Sequence, residues 1–275
     1  MAALTHSHAA IASAAAELRS RYPRTVQLPP SPRQRRRGLR FAGALTAFAA
    51  LTASIWFANP ALSKQRYETG IGERSTVTLR DGSNLHINTH SRVEFVNRLR
   101  TREIVLSEGE VFFDVEHSAF RPFVVAANGS TVRVHGTRFN VRDLPDGTVR
   151  IVVEHGEVEV SPQPGGEPIV LTDGQAVDAQ HGLLTSSPHT VDVGMLTAWR
   201  QGLLVFASTP LKDVVAQIQR YRVAPVEIAD ARAGALTLTG AYPLQDPDAL
   251  LRVLPHVLPI NVHFKADGAV SIAAR

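Results

Sequence analysis

His86 and His90 have the spacing closest to that of a metal-binding pair, because they lie four residues apart in the sequence HINTH. This spacing brings two imidazoles together only on a helix. The neighbouring residues alternate between apolar and polar types, which predicts a strand and a turn. We therefore predict that both histidines lie on the surface, and that the chain needs no metal and no cofactor.

The common catalytic motifs are absent from the sequence, which contains no GxSxG, Walker loop, HExxH or GxGxxG. It also contains no cysteine, which excludes disulfides, CxxC redox sites and thiolate zinc sites. Asp and Glu residues stand mostly beside turn glycines, where turn chemistry accounts for them. The sequence therefore predicts a protein that is not a turnover enzyme.

Trp199 and Phe206 are candidates for binding a partner, because exposed aromatic side chains often anchor protein partners. The alternative is that both rings pack where two folded regions of the chain meet.

Basic residues are concentrated near the N-terminus. The chain has 29 Lys and Arg against 25 Asp and Glu, and five of the arginines fall within residues 33–40. Without that group the chain is close to neutral, so the composition predicts no direct contact with nucleic acid.

Residues 41–58 are uncharged and largely apolar, which predicts one transmembrane helix over residues 39–61. About 18 residues at 1.5 Å each reach roughly 27 Å, near the thickness of the hydrocarbon core. By the positive-inside rule, the chain is an inner-membrane protein with its N-terminus in the cytoplasm and its C-terminal region in the periplasm. A cleaved signal peptide is the alternative. The residues that set this orientation are Arg35, Arg36, Arg37 and Arg40.

Residues 1–38 are predicted to form a short cytoplasmic helix followed by a basic, proline-rich linker. Ile11 and Leu18 share one face of this helix, and we consider that face a docking surface for a cytoplasmic partner. The alternative is a helix that frays in solution, as isolated helices of this length do.

Residues 67–190 are predicted to form an all-β domain. Turn pairs such as Asp81-Gly82 separate short β-branched or alternating runs. Gly-Glu pairs at residues 72, 109 and 156 each enter a strand, which favours a rolled or solenoid-like antiparallel sheet. A sandwich would give similar signals. Ten strands are predicted, at residues 75–79, 85–88, 93–95, 103–106, 111–115, 123–126, 131–134, 139–142, 149–153 and 157–160.

Residues 195–275 are predicted to form a small α+β domain. Pro210 opens a helix in which Leu211, Val214 and Ile218 recur at helical spacing. Asp246-Pro247 caps and begins a second helix. Each helix is flanked by strands, so the order is βαβ twice over.

Several segments, which agree in order and spacing, together resemble the FecR family of inner-membrane sigma-factor regulators. They are GERSTVTLRDGSNLHINTHSRV, LSEGEVFFDVEHSAFRPFVV, VRVHGTRFNV, VVEHGEVEV and WRQGLLVFASTPLKDVVAQIQRY. The resemblance covers roughly residues 40–275. It implies a periplasmic FecR domain followed by a domain similar to the short N-terminal domain of secretins and TonB-dependent receptors.

The resemblance implies a transmembrane signal transducer of the anti-sigma or sigma-regulator type. Its partners would be the signalling domain of a TonB-dependent outer-membrane receptor and a cytoplasmic ECF sigma factor, and its output would be genes for iron-siderophore uptake. The chain departs from the family in its short cytoplasmic segment of about 40 residues, which has no tryptophan. A function of another class is a membrane-tethered periplasmic scaffold that binds an envelope component without control of a sigma factor.

The resemblance also implies self-cleavage, because some family members cut themselves at a Gly-Thr bond and Gly136-Thr137 matches that motif. The Thr137 hydroxyl would attack the Gly136 carbonyl in an N-to-O acyl shift, and water would hydrolyse the ester. Glycine does not obstruct the attack and tolerates a strained backbone, and His135 is placed to assist proton transfer. The alternative is an ordinary strand with a bulge at Gly136.

Overall fold

The structure is a computed structural model that describes residues 14, 16–18, 20–21, 47–161 and 167–275. Contacts between residues divide the chain into two units, Met1–Ala58 and Asn59–Arg275. The second unit contains a β-sandwich, formed by strands between residues 61 and 190, and a C-terminal lobe, formed by residues 193–275.

The described part of the first unit is helical, and residues 47–58 form its longer described stretch. Asn59 has a φ of 45° and Pro60 follows it, so the helix does not continue. Among the described residues no helix is long and apolar enough to span a membrane. This finding corrects the predicted transmembrane helix over residues 39–61.

Strands of the sandwich begin at Ala61, inside the predicted membrane segment. The described strands are β1 (Ala61–Glu68), β2 (Ser75–Thr78), β3 (Asn84–Ile87), β4 (Arg92–Arg98), β5 (Arg102–Glu108), β6 (Glu110–Asp114), β7 (Phe123–Ala127), β8 (Ser130–Val134), β9 (Arg138–Asp143), β10 (Thr148–His155), β11 (Val158–Ser161), β12 (Ile169–Leu171), β13 (Gln175–Gln180), β14 (Leu183–Leu184) and β15 (His189–Thr190).

These strands form two sheets that enclose one core. Sheet I has the order β1-β4-β5-β7-β8-β11-β12, and sheet II has the order β14-β13-β10-β9-β6-β3-β2, with β15 beside β13. β5 and β7 pair in parallel, because the chain leaves sheet I through β6 of sheet II before it returns. The predicted rolled or solenoid-like antiparallel sheet is thus corrected to a two-sheet sandwich with one parallel pair.

Alternation along the strands of sheet II separates a core face from an outer face. Val111 and Phe113 of β6 are fully buried in the core, where the ring of Phe113 stacks on that of Phe139 with centroids 4.9 Å apart. Glu110 and Phe112 alternate with them and therefore face outward. Both are nevertheless buried, because the C-terminal lobe covers this part of the outer face.

The C-terminal lobe contains two βαβ segments and three additional short helical segments. Its elements are α1 (Val193–Thr197), a 3-10 helix (Ala198–Gln201), β16 (Leu203–Pro210), α2 (Leu211–Gln219), β17 (Val226–Ile228), α3 (Ala231–Ala235), β18 (Thr237–Pro243), α4 (Pro247–Val257), β19 (Ile260–Phe264) and β20 (Val270–Ala274). β16 pairs with β18, and the other three strands have the order β17-β20-β19.

Each long helix of the lobe buries one apolar stripe. In α2 the buried side chains are those of Leu211, Val214, Val215 and Ile218, and Pro210 stands immediately before the first turn, where its missing N–H costs nothing. In α4 the Asp246 side chain accepts a hydrogen bond from the amide of Ala249 at 3.0 Å, which caps the helix. Both stripes join the core of the lobe.

Gly109 fixes the point where β5 turns into β6, one residue before Glu110. Its φ is 92°, a region that favours glycine. A Cβ at this position would overlap Ser91 Oγ and lie 2.5 Å from Ser91 Cα. The amide of Glu110 donates to that same Ser91 Oγ at 3.0 Å, so the close approach also sets the position of Glu110.

We expect Gly109→Ala to lower the free energy of unfolding by about 3 kcal/mol, because it combines a left-handed alanine with overpacking against Ser91. Gly174→Ala is the matched control. Gly174 has a φ of 77°, and no atom would lie within 4 Å of a Cβ added there. We therefore expect Gly174→Ala to lower the free energy of unfolding by only about 1 kcal/mol, from the backbone conformation alone. Urea unfolding of both variants measures the difference; equal losses would contradict the packing argument.

Candidate functional site

Gly136 and Thr137 lie in the connection from β8 to β9, packed against the loop that follows β6. A Cβ on Gly136 would lie 2.7 Å from His117 Cα, so only glycine fits there. Thr137 is 4 % exposed, and its hydroxyl donates to the carbonyl of Glu157 at 3.0 Å. His135 directs Nδ1 to the Ser118 carbonyl at 3.2 Å. Its imidazole Nδ1 is therefore engaged away from the Thr137 hydroxyl.

Trp199 and Phe206 are both buried, each 4 % exposed, and so they present no aromatic patch at the surface. Phe206 belongs to the core of the lobe. Trp199 belongs to a separate small cluster with Phe112, Tyr221 and Leu244. This cluster lies where the lobe meets sheet II, so the structure accounts for Trp199 by packing at that contact.

The remaining candidate residues belong to the N-terminal unit. Leu18 lies in a helical segment and is 60 % exposed. Ile11 and the orienting arginines lie outside the described residues; these arginines are Arg35, Arg36, Arg37 and Arg40.

A polar cluster that sequence reasoning missed lies between sheet II and the lobe, and we call it the junction. It is centred on the carboxylate of Glu110, which is 2 % exposed. Arg220 Nη2 lies 2.6 Å from Glu110 Oε2. Asn88 donates to Oε2 at 2.8 Å, and Asn140 donates to Oε1 at 3.0 Å. Both carboxylate oxygens are thus satisfied by donors from β9, from the residue that follows β3, and from the lobe.

The end of α2 is held on the sandwich by bonds on either side of this ion pair. The Thr89 hydroxyl donates to the backbone carbonyl of Arg220 at 2.9 Å. The Tyr221 hydroxyl donates to Asn88 Oδ1 at 3.0 Å. Because the same Asn88 side chain also donates to Glu110, it links the buried ion pair with the tyrosine.

Electrostatics at the junction favour the ionised pair. Burial raises the pKa of Glu110, but the guanidiniums of Arg220 and Arg142 and the hydrogen bonds outweigh it, so the pKa is lowered overall. Burial and then the nearby Arg220 lower the pKa of Arg142 to about 10. Burial raises the pKa of Tyr221. At neutral pH the cluster therefore holds one carboxylate between two guanidiniums.

A second ion cluster flanks the first on the same outer face. Glu154 Oε1 lies 2.5 Å from Arg200 Nη2, and its Oε2 lies 2.7 Å from Arg138 Nη2. The guanidinium of Arg200 also stacks over the Phe112 ring, 3.6 Å from its centroid, a cation–π contact. Arg200 belongs to the 3-10 helix, so this cluster also holds the lobe on sheet II.

The junction lacks the parts that catalysis needs. Its groups are carboxylate, amide and guanidinium side chains that pair with one another, with no activated nucleophile beside a base among the described residues. No group of His, Cys, Asp or Glu able to hold a metal is found among the described residues. What the geometry does supply is a charge-dependent attachment of the lobe to the sandwich.

Comparison with known proteins gives one family and one fold. Residues 65–159 match the family described as FecR protein. No curated protein matches the chain in sequence. Two crystal structures of a candidate anti-sigma factor from Parabacteroides distasonis ATCC 8503 share the fold. The first has a TM-score of 0.64 and 23% sequence identity, and the match covers 78% of this chain and 100% of that chain. The second has a TM-score of 0.65 and 23% sequence identity, and the match covers 77% of this chain and 99% of that chain.

We expect Glu110→Gln to lower the free energy of unfolding at pH 7 by about 3 kcal/mol, because it leaves a buried guanidinium without its counter-charge. The folded-state pKa of Glu110 is lowered, so its contribution is complete above the unfolded value of about 4.3 and is lost as the pH falls through the folded value. Glu110→Gln should thus lose less stability on acidification than the wild type.

Urea unfolding of the two proteins between pH 7 and pH 3 measures both effects. Glu227→Gln is the control, because Glu227 forms an exposed ion pair with Lys265 at 3.5 Å and such pairs contribute little. A Glu110→Gln variant as stable as this control, with the wild-type pH dependence, would show that the buried pair does not hold the fold.

Proposed function

The chain belongs to the FecR family through residues 65–159, and from this we propose that it is a signal transducer of the anti-sigma type. A candidate anti-sigma factor with the same fold supports the proposal. The single observation that carries it is the junction, where a buried ion pair joins the C-terminal lobe to the FecR domain. A partner that displaces the lobe would therefore act directly on β6 and β9, which carry Glu110 and Asn140.

In more detail, we propose that the lobe binds the signalling domain of a TonB-dependent outer-membrane receptor. The N-terminal segment binds an ECF sigma factor. Its output would be transcription of iron-siderophore uptake genes. The placement at the inner membrane, with a cytoplasmic N-terminus and a periplasmic C-terminal region, stays a prediction. Protease treatment of spheroplasts tests it, since a periplasmic lobe and sandwich would be cleaved.

The edge strand β19 offers the receptor domain a place to add a strand. Lys265 and Ala269 close the β19–β20 hairpin with a bond of 2.8 Å. By antiparallel alternation, Val262 and Phe264 then direct their N–H and C=O groups away from β20. Phe264 is 39 % exposed, and Val253 and Val257 of the adjacent α4 are 43 % and 52 % exposed. An added strand would gain both backbone bonds and apolar contact.

The test uses the tagged full-length chain to capture an ECF sigma factor from the same organism, with and without a receptor signalling domain. We expect the wild type to bind both. Deletion of residues 1–40 should abolish sigma-factor capture alone. Phe264→Asp should weaken binding of the receptor domain about tenfold or more, because a buried aromatic contact is replaced by a charge, and should leave sigma-factor capture unchanged.

Phe120→Asp is the matched control, because Phe120 is 92 % exposed on the sandwich and lies outside the proposed edge. Equal effects of the two substitutions would contradict binding at β19. Sigma-factor capture that survives deletion of residues 1–40 would contradict the proposed cytoplasmic contact. Binding of an envelope component without sigma-factor capture would instead favour the scaffold function.

Single-turnover self-cleavage at Gly136-Thr137 is part of the proposal. The Oγ1–C bond to Gly136 forms, the C–N bond breaks, the nitrogen takes the proton, and water then hydrolyses the ester. The Thr137 hydroxyl and the Gly136 carbonyl oxygen both pack against Gly156, 3.2 Å and 3.4 Å from the place where a Cβ on that residue would stand. The hydroxyl must first leave the Glu157 carbonyl, so conformational strain at β9 would control the reaction.

We expect Thr137→Ala to abolish the fragments 1–136 and 137–275, because the nucleophile is lost. Thr137→Ser keeps the hydroxyl and should still be cut. Mass spectrometry of purified full-length protein distinguishes the three chains. If the alanine variant gives the wild-type fragments, cleavage by another route is established and the self-cleavage proposal fails.

A further inference from the structure

A cavity of about 290 Å³ lies beside the second ion cluster, between β2, β3 and the 3-10 helix. Arg74, His86 and Arg200 line it, together with the hydroxyl residues Ser75 and Thr76, and no lining residue is acidic. Its size is close to the lower end of small-ligand pockets. We propose that this cavity binds a small oxyanion, such as phosphate or a carboxylate-bearing molecule.

The charges around the cavity favour an anion. Arg200 and Arg138 share one carboxylate, that of Glu154. Asp114 lies further off, with its Oδ1 4.0 Å from Arg138 Nε. Arg74 donates to the backbone carbonyl of Trp199 at 2.5 Å and has no carboxylate within 4 Å among the described residues. Three guanidiniums thus face two carboxylates, which leaves one positive charge in excess.

Glu73, the acidic residue next to Arg74 in sequence, does not cancel that charge inside the cavity. Its Oε2 accepts from the amide of Gly70 at 2.8 Å, and Glu73 is not among the lining residues. An oxyanion can take two parallel hydrogen bonds from a guanidinium. Arg74 comes from the sandwich and Arg200 from the lobe side, so a bound oxyanion would contact both.

Neutral donors around the cavity add to this arrangement. Trp199 also lines it, and its buried indole N–H has no acceptor within the described part of the chain. Thr76 Oγ1 lies 3.1 Å from His86 Nδ1. Burial and the nearby Arg200 lower the pKa of His86, so the ring is neutral at pH 7. When Thr76 donates to Nδ1, the proton sits on Nε2, which is then a donor for a ligand.

The test measures thermal unfolding of the full chain in phosphate, in succinate and in chloride at equal ionic strength. Phosphate probes a free inorganic anion, and succinate probes a carboxylate-bearing ligand. If the cavity binds the anion, the unfolding temperature should rise as the concentration of phosphate or succinate increases. Arg74→Gln should weaken the anion Kd about tenfold or more, since it removes charge-assisted hydrogen bonds.

Arg80→Gln is the matched control, because Arg80 is exposed on the same domain and does not line the cavity. Calorimetric titration of each folded variant with phosphate and succinate separates lost binding from lost stability. Binding of either anion that Arg74→Gln weakens and Arg80→Gln retains supports the proposal and identifies the ligand class. Absence of binding by both anions, or equal binding by the two variants, overturns it.

Discussion

Glu110 carries a charge in a place that water does not reach, and the rest of the junction follows from that constraint. A buried carboxylate is stable only where donors and counter-charges replace its hydration. Asn88, directly after β3, and Asn140 of β9 supply two amide donors, whereas the guanidinium of Arg220 comes from the far end of α2. The lobe must therefore sit with α2 pointing at sheet II, because any other position would leave a buried ion without its partner.

This attachment is polar, which distinguishes it from the cores on either side. The sandwich and the lobe each have an apolar core of their own, while the contact between them consists of ion pairs, amides and the small aromatic cluster around Trp199. Contacts between domains of one chain commonly have this character and permit relative motion. In the proposed function, a partner on β19 would act on this contact.

Sequence patterns located the sandwich strands from β2 to β11 and missed β1 and the strands from β12 to β15, although β12 and β13 contribute Leu171 and Val177 to the core. Residues 149–153 were predicted as a strand and lie within β10. β1 was missed, because Ala61 was included in the predicted membrane segment and Lys64 and Arg66 are exposed on an edge strand. Glu110 was missed because its position on β6 predicts a solvent-facing side chain. The Gly-Glu pair that precedes β6 was a usable signal, but alternation alone cannot show that a second domain covers that face.

Glu110 and Arg220 stabilise the protein as a pair, across the contact between sandwich and lobe. A double-mutant cycle tests it most directly: urea unfolding of the full chain with Glu110→Gln, with Arg220→Gln and with both. We expect a coupling energy of about 1–3 kcal/mol, because the second substitution removes an ion already left unpaired by the first. If the losses in free energy of unfolding of the two single variants add up to that of the double variant within about 0.5 kcal/mol, the two residues do not act as a pair.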